Sequence, residues 1–271
     1  MSHRSITLIS VITIVRNGMP FIDETIKSVL GQSYPAFEYI VIDGESTDGT
    51  VEVIKSYQGG ISKWISEKDK GIADAFNKGL SFATGEYILF LNADDALATP
   101  DVLEHIAEEI TQNDYPSLLY GDYNILERNS GKFIYHGIIN LTHNGLLQGQ
   151  ILPHPCLFTH RSYFDKYGGF DPAFKIAMDY EWLLRGGFIE RIVHVSLVVS
   201  NIRDGGISTQ DPGKVVDEII SALKKNNIIG SAIGEYKMRG YFFIRAFARK
   251  LLSAIGLYRL FFNIRNRFKN G

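Results

Sequence analysis

Apolar runs with strand character alternate with helix-like segments through the first 120 residues of the chain. The first run, Ile6–Val15, is rich in β-branched residues and suits a strand that is buried on both faces. Further strands are predicted at residues 37–42, 62–66, 87–91 and 117–120, and helices from Pro20 and at residues 51–57, 71–83 and 100–111. Strands separated by helices of this length form βαβ units. The sequence therefore predicts an α/β protein with a mainly parallel sheet flanked by helices.

The pattern changes beyond residue 120. Residues 121–210 are less regular, with short strands, turns and one clear helix around Asp179–Arg185. From residue 212 onwards the pattern is helical, up to a basic and aromatic C-terminus. The chain of 271 residues is long enough for one or two domains. We predict one domain at residues 1–210 and a helical extension at residues 211–271.

The charges of the chain are distributed unevenly. Residues 237–271 hold nine of the 28 Lys and Arg residues and none of the 30 Asp and Glu residues, so a tail of +9 follows a body of −11. This basic, apolar tail suggests a helix that lies on an anionic membrane surface. Its alternative is a terminal helix packed on the domain. The acidic body argues against a broad nucleic-acid footprint, so no nucleic-acid partner is predicted.

Cysteine content and apolar segments limit the class of protein further. The single cysteine, Cys156, excludes an intramolecular disulfide and a zinc site built from several cysteines. No segment reaches the roughly 18 uninterrupted apolar residues of a membrane-spanning helix, and no cleavable signal is visible at the start. We therefore expect a cytoplasmic protein, with the inner face of the cell membrane as the place where the tail would bind.

Polar residues follow the predicted strand 87–91, at its carboxyl end, where ligands bind to open parallel sheets. These residues are Asn92, Asp94 and Asp95. Carboxylates there suit Mg²⁺ or Mn²⁺, which take phosphate oxygens as further ligands. Asn and Asp are also common turn residues, so a turn that leads into the next helix is the alternative.

Two further motifs follow the neighbouring strands. Asp43 ends a buried strand, where its carboxylate can accept hydrogen bonds from a nucleobase or ribose. Asp48 is expected to be the N-cap or a first-turn residue of the following helix. Asp74 and Asn77 are three residues apart, so they share one face near the start of helix 71–83; a solvated helix face is the alternative. Neither G-x-G-x-x-G nor G-x-x-x-x-G-K-[ST] is present, so a dinucleotide fold or a P-loop kinase is poorly supported.

Together these motifs resemble the family 2 glycosyltransferases, which have the GT-A fold. The resemblance rests on Val11–Arg16 with Asn17-Gly18, on the turn Asp43–Thr50, and on Asn92-Ala93-Asp94 in the place of the D-x-D motif. Residues 71–79 are similar to a variant found in bacterial colanic-acid and exopolysaccharide enzymes. Downstream, His154–Phe158, Gly168–Asp171 and Ala177–Trp182 resemble the acceptor side of the family, so the likeness covers about residues 8–210.

The resemblance implies an inverting transfer of a sugar from a nucleoside diphosphate sugar to an acceptor hydroxyl. A lipid-linked saccharide in cell-surface polysaccharide synthesis is the expected acceptor. The family pattern makes Asp179 the general base and Asp94 the ligand of Mg²⁺ or Mn²⁺. It implies donor contacts from Val15, Asp43, Asp74, Asn92 and Asp94.

Three positions depart from the family pattern: Asn92 replaces an aspartate, Met178 replaces the glutamate before the base, and Phe76 stands where many relatives carry arginine. Because both acidic motifs are altered, a catalytically inactive nucleotide-sugar-binding protein is the alternative function. From the residues alone, Asp179 could instead cap its helix, with Glu181 solvated in the first turn.

Two downstream features have open roles. His154 is either a metal or acceptor contact or a buried histidine bonded to the backbone. Gly205–Ser208 resembles a mobile loop that covers the donor in relatives, with Arg203 as a diphosphate contact; an exposed arginine in a turn is the alternative.

Overall fold

Nine β-strands form one mixed sheet in the computed structural model of the protein, which describes residues 6–206 and 211–254 and, for residues 232 and 245–254, the backbone alone. The strands are β1 (Ile9–Val15), β2 (Phe37–Asp43), β3 (Lys63–Ser66), β4 (Tyr87–Phe90), β5 (Ala96–Leu97), β6 (Leu118–Leu126), β7 (Phe133–Gly137), β8 (Leu157–His160) and β9 (Ile192–Arg203). They lie in the order β3-β2-β1-β4-β8-β6-β9-β5, with β7 paired to β6.

Helices cover both faces of the sheet. They are α1 (Ile22–Leu30), α2 (Thr50–Ser56), α3 (Ile72–Phe82), α4 (Val102–Gln112), α5 (His143–Leu147), α6 (Arg161–Tyr167), α7 (Met178–Gly186), α8 (Pro212–Lys225) and α9 (Ala232–Ala254), with a 3₁₀ turn at His154–Cys156. One apolar core contains residues of α1, α2 and α4, and the other contains residues of α3, α6, α7 and α8. The predicted α/β architecture is therefore confirmed.

The first half of the sheet is parallel, as the βα pattern predicts. Strands β3, β2, β1 and β4 pair in parallel, and β1 and β2 are in register along their whole length. In that register Val15 lies opposite Asp43, and Asp43 lies opposite Ser66. The polar ends of these strands consequently lie at one edge of the sheet.

The second half of the sheet contains strands that the sequence pattern did not reveal. Strand β8 is inserted antiparallel between β4 and β6, and β7 pairs antiparallel with β6. Strand β9 runs parallel to β6 with two shifts of register, so its side chains do not keep a regular alternation. These strands extend the predicted sheet and leave its first half unchanged.

The C-terminal helices pack on the rest of the protein. Ile219, Ala222 and Leu223 of α8 lie in the same core as α7, and Met238 and Phe242 of α9 pack against that core. The division into a domain at 1–210 and an extension at 211–271 stays a prediction. Among the described helices, none is long and apolar enough to cross a membrane. The side chains of the predicted membrane-binding segment beyond residue 244 lie outside the described residues.

Candidate active site

The loops after β1 and β2 are bonded to each other. The amide of Asn17 donates to Ser46 Oγ (2.7 Å), and Asn17 Oδ1 accepts from the amide of Thr47 (2.9 Å). Asp48 was expected at the N-cap or in the first turn of α2, but the helix begins at Thr50 and its N-cap residue is Gly49. The Asp48 carboxylate accepts from the amides of Thr50 and, across the gap between the loops, Met19. It therefore stabilises the edge where the strands end.

Asp43 is fully buried at the end of β2. Its Oδ2 accepts hydrogen bonds from Ser66 Oγ (2.6 Å) and from the amide of Ser46 (3.1 Å). Its Oδ1 is the buried side-chain polar atom that has no hydrogen-bond partner within the described residues. A buried carboxylate oxygen without a donor costs free energy, so this atom suits a donor group supplied by a ligand. Val15, opposite Asp43 in the register, is almost fully buried.

Asp74 and Asn77 have local partners at the start of α3. Asp74 Oδ2 accepts from the amide of Lys70 (3.0 Å) and lies 3.4 Å from Lys78 Nζ, so it holds the loop before the helix. Asn77 is not on a solvated face, because its amide group both donates to and accepts from the backbone of Phe170 (2.8 Å each). A contact between Asp74 and a donor stays a prediction.

The three polar residues after β4 have different environments. Asp95 is buried; its Oδ2 accepts from Asn92 Nδ2 (2.7 Å) and its Oδ1 from the amide of Arg203 (3.0 Å). Burial raises the pKa of Asp95 to about 7, and the neighbouring Asp94 charge adds to the effect. Asp94 itself is 26% exposed, and its Oδ2 accepts from Arg128 Nη1 at 2.7 Å. Asp94 is therefore the carboxylate of this turn that a ligand can reach.

Asn92, His154 and Asp179 form a connected row. Because Asn92 Nδ2 donates to Asp95, its Oδ1 accepts, so His154 Nε2 carries the hydrogen of their 2.7 Å bond. The other ring nitrogen of His154, Nδ1, lies 3.7 Å from Asp179 Oδ2. His154 is thus bonded to a side chain rather than to the backbone. The row places the predicted base beside the turn that follows β4.

Asp179 lies in the first turn of α7 and is 20% exposed. It does not cap the helix, because the N-cap residue is Ala177. A negative charge is nevertheless favourable there, since the amide groups of the first turn face it.

Glu181 is fully buried, so its predicted alternative role as a solvated residue is wrong. It pairs with Arg185 and, at 2.9 Å, with Lys225 of α8. Burial raises the pKa of Glu181, but these two cations outweigh burial and leave the pKa below its ordinary value. Glu181 therefore joins α7 to α8 as an ionised group.

Phe76 and Arg203 both have buried side chains. Phe76 stacks on Phe90, with 4.6 Å between ring centroids, and contacts the His154 ring edge-on at 5.3 Å. Arg203 is only 8% exposed, so the alternative of an exposed arginine in a turn is wrong. Its guanidinium pairs with Glu24 and lies 4.6 Å from the centroid of the Phe21 ring. Gly205 and Gly206 follow it, whereas Ile207 and Ser208 lie outside the described residues.

Comparison with known proteins identifies the family. Residues 10–168, more than half of the chain, match the family model described as "Glycosyl transferase family 2". The chain belongs to this family. An uncharacterized glycosyltransferase of Mycobacterium tuberculosis is 33% identical over 214 residues, which are 78% of this chain and 81% of that protein. A "PGL/p-HBAD biosynthesis glycosyltransferase" of the same species is 28% identical over 208 residues, or 74% of this chain and 79% of the other.

Solved structures confirm the GT-A fold of this glycosyltransferase. TarS 1–349 of Staphylococcus aureus in complex with UDP-GlcNAc has a TM-score of 0.65 at 18% identity, covering 92% of this chain and 75% of that one. Mannosyltransferase PcManGT of Pyrobaculum calidifontis, in complex with GDP-Man and Mn²⁺, has a TM-score of 0.61 at 20% identity, covering 87% and 70%.

The side chains of this glycosyltransferase suit a divalent cation whose remaining ligands come from a substrate. Within residues 6–206 and 211–254 no three His, Cys, Asp or Glu side chains are grouped to hold a metal by themselves. Asp94 nevertheless offers an oxygen that already binds a cationic group, the guanidinium of Arg128. One carboxylate is enough where phosphates and water supply the other ligands of Mg²⁺. Asp94 therefore fits the predicted ligand role.

Arg128 is the site residue that the sequence analysis missed. It lies between β6 and β7, 34 residues after Asp94, in a turn that carries no recognisable motif. Only the pairing of β6 with β9 brings this turn next to Arg203 and the end of β4.

Proposed function

We propose that this glycosyltransferase moves a sugar from a nucleoside diphosphate sugar to a hydroxyl group of an acceptor, with inversion at the anomeric carbon. The observation that carries this proposal is the row formed by Asn92, His154 and Asp179. This row joins the turn after β4, where a donor would bind, to the partly exposed carboxylate of Asp179 on α7. A base on one side and a leaving group on the other are what a single displacement requires.

The donor would bind along the edge formed by the ends of β1, β2 and β4. Asp43 Oδ1, which has no hydrogen-bond partner in the part of the chain that the structure describes, would accept a hydrogen bond from the nucleobase or ribose, beside Val15. Asp74, at the start of α3, and Asn92 are further proposed contacts. The neighbours TarS and PcManGT, in complex with UDP-GlcNAc and GDP-Man, support a nucleotide sugar as the donor.

Asp94 would hold Mg²⁺ or Mn²⁺ together with the diphosphate. When bound, the cation would neutralise the negative charge that grows on the departing diphosphate. The Mn²⁺ in the structure of PcManGT supports this role for a divalent cation.

Asp179 would act as the general base. Its carboxylate would take the proton of the acceptor hydroxyl while that oxygen forms the new bond to the anomeric carbon. The bond to the diphosphate breaks on the opposite face, so the configuration inverts. His154, 3.7 Å from Asp179, would help to orient it towards the acceptor.

The acceptor that we propose is a lipid-linked saccharide at the cytoplasmic surface of the membrane. The relative named for PGL/p-HBAD biosynthesis supports a glycolipid pathway. Helix α9 supports the location, because Ile233, Tyr236, Phe243 and Ile244 are exposed on it and the sequence beyond it is basic. An apolar helix with nearby positive charge binds anionic membrane surfaces.

A binding protein without transferase activity is the second candidate. It is favoured by one observation: Arg128 already binds the carboxylate that would hold the metal. Transfer or hydrolysis of a labelled sugar distinguishes the two candidates, because a binding protein would show neither.

Thermal unfolding with a panel of nucleoside diphosphate sugars, with and without Mn²⁺, tests the donor class. A ligand at 100 times its dissociation constant stabilises the folded state by about 2.7 kcal/mol, which raises the melting temperature of a chain of this size by about 5–10 °C. We expect this increase for some members of the panel when Mn²⁺ is present. If no member raises the melting temperature, the proposal is wrong.

A further inference from the structure

Arg128 holds Asp94 in the structure. Its Nη1 donates to Asp94 Oδ2 at 2.7 Å, and its backbone amide donates to Asp204 Oδ1 at 2.8 Å. The backbone of Arg128 is therefore fixed, whereas its side chain is 39% exposed. The contact with Asp94 can be broken without unfolding the turn between β6 and β7.

A second arginine beside Arg128 is held much more firmly. The guanidinium carbons of Arg128 and Arg203 lie 5.2 and 4.6 Å from the centroid of the Phe21 ring. Arg203 is 8% exposed, pairs with Glu24 and donates to the carbonyl oxygen of Arg128 (3.0 Å). Of these two cations, Arg128 has the more exposed side chain; besides its bond to Asp94, its Nη1 makes a long contact of 3.4 Å with the carbonyl oxygen of Asp204. The face of Phe21 stabilises its guanidinium by a cation–π contact.

A divalent cation bound to Asp94 would lie close to the guanidinium of Arg128, which already occupies Oδ2. Their like charges would repel at contact distance. Asp95 offers no second site, because it is buried and both of its oxygens accept hydrogen bonds. Binding of the cation consequently weakens the contact between Arg128 and Asp94 and favours release of the guanidinium.

A guanidinium released from Asp94 would lie close to a diphosphate bound at this turn. A cation on Asp94 completes its ligands with phosphate oxygens, which would then be within reach of Arg128. Arginine forms paired, charge-assisted hydrogen bonds with phosphate, so the diphosphate gives Arg128 a new partner.

We propose that Arg128 is a mobile counter-ion that exchanges Asp94 for the donor diphosphate when a divalent cation binds. Cation and donor then bind cooperatively. A bound cation has already weakened the contact of Arg128 with Asp94, and a bound diphosphate already holds Arg128 away from Asp94, so either ligand makes binding of the other more favourable. This inference rests on the proposed function, since it requires a diphosphate in the site. It assigns Arg128 a donor-binding role that goes beyond that function.

The test compares wild-type protein with Arg128→Met in two calorimetric titrations. Methionine keeps most of the apolar contact with Phe21 but carries no charge. We expect Mn²⁺ alone to bind the variant about threefold more tightly than wild type, because the guanidinium no longer competes for Asp94 and a partly exposed ion pair of this kind contributes less than about 1 kcal/mol. We expect UDP or GDP, titrated at saturating Mn²⁺, to bind about tenfold more weakly, as for the loss of a charged hydrogen bond.

Two further variants sharpen the comparison. Lys132→Met removes a positive charge from the same turn and should change neither affinity. Arg128→Lys keeps a charge on Asp94 but loses the paired bonds to phosphate, so it should weaken nucleotide binding while leaving the affinity for Mn²⁺ alone near that of wild type. This variant decides the question if Arg128→Met does not fold.

The outcomes separate the inference from the proposed function. If wild type binds UDP or GDP and the Arg128 variants bind both nucleotide and Mn²⁺ with wild-type affinity, the inference alone is overturned. If wild type binds neither nucleotide nor any nucleotide sugar in the presence of Mn²⁺, the proposed function is overturned together with the inference.

Discussion

Asn92 illustrates how one residue determines the arrangement of the site. Its amide donates to the buried Asp95 and accepts from His154, so it joins two groups that are 59 residues apart in the sequence. An aspartate at this position would have no hydrogen to donate to Asp95 and would add a third adjacent carboxylate. The departure from the D-x-D motif therefore has a structural consequence: the amide organises the row that leads to Asp179.

Residues at the ends of predicted strands were identifiable from the sequence, because the parallel register places those ends at one edge. Asp43 and Asp94 belong to this group. The contact between His154 and Asp179 was not identifiable, since it depends on how the 3₁₀ turn and α7 pack. Arg128 was missed for the same reason: long-range pairing of strands, and no local pattern, places it beside Asp94.

Substitution of Asp179 by asparagine tests the general base. Asp179→Asn keeps the size of the side chain but cannot accept the proton. Loss of a general base lowers rates by about 10²–10⁴, so we expect transfer to fall by that factor with donor and Mn²⁺ affinity nearly unchanged. Steady-state rates and calorimetric titration measure the two effects.

If the Asp179→Asn variant keeps more than about a tenth of the wild-type rate, which lies outside this range, another group is the base. His154 is then the next candidate, because Glu181 is buried and paired.

Substitution of Asp94 by asparagine separates the metal from the fold. Asp94→Asn removes the charge that would hold Mn²⁺, and we expect stabilisation by Mn²⁺ plus donor to disappear. The free protein should lose less than about 1 kcal/mol, because ion pairs with exposed side chains contribute little. Thermal unfolding with and without both ligands measures this. A variant that still turns over with metal would show that Asp94 is not the principal ligand.

At the scale of elements, the βα units of the first half were predictable and the later strands were not. Strands β1, β2 and β4 are apolar runs buried on both faces, which is a strong sequence signal. Strand β8 has only four residues, and β9 contains polar residues and two register shifts. Their structure is determined by pairing with β6 and not by local sequence.

Glu190 joins three elements and supports a prediction about stability. Its carboxylate accepts from Lys166 and Tyr167 of α6 and from Ser117 before β6 (2.7–2.8 Å). The bonds with Lys166, Ser117 and Tyr167 lower the pKa of Glu190 from 4.5 to about 2. A lowered pKa in the folded state stabilises it above the pKa of the unfolded state, and this contribution is lost as the pH falls towards 2.

We expect Glu190→Gln to lower the free energy of unfolding by about 1 kcal/mol at neutral pH, because the charge-assisted bonds become neutral ones. The difference from wild type should shrink as the pH falls from about 4.5 towards 2, where the wild-type carboxyl group takes up its proton. Urea denaturation over this range measures it. The control is Glu108→Gln, at an exposed position of α4. A difference that is independent of pH would contradict the role of the Glu190 charge.

At the scale of the whole molecule, the C-terminal region has two parts. Residues up to 242 include side chains that pack on the core, whereas the basic segment beyond residue 244 has only a predicted role, in membrane binding. A cut after Glu235 would remove Met238 and Phe242, which pack on the core, so it would confuse loss of stability with loss of binding. A cut after Ile244 keeps these contacts and removes seven of the nine basic residues of the tail. The later cut is therefore the cleaner test of membrane binding.

We expect the full chain to bind vesicles that contain anionic lipid and the chain cut after Ile244 not to bind them. A basic residue near an anionic surface contributes about 1 kcal/mol, so removal of seven should abolish sedimentation with the vesicles. The melting temperature and donor binding should stay unchanged.

A variant of the whole 271-residue chain with these seven Lys and Arg residues replaced by Gln separates the effect of charge from that of apolar contact, and it should also lose its preference for anionic lipid. Equal vesicle binding by the full and shortened chains would mean that residues 245–271 do not attach the enzyme to the membrane. The acceptor would then have to reach the site without help from this tail.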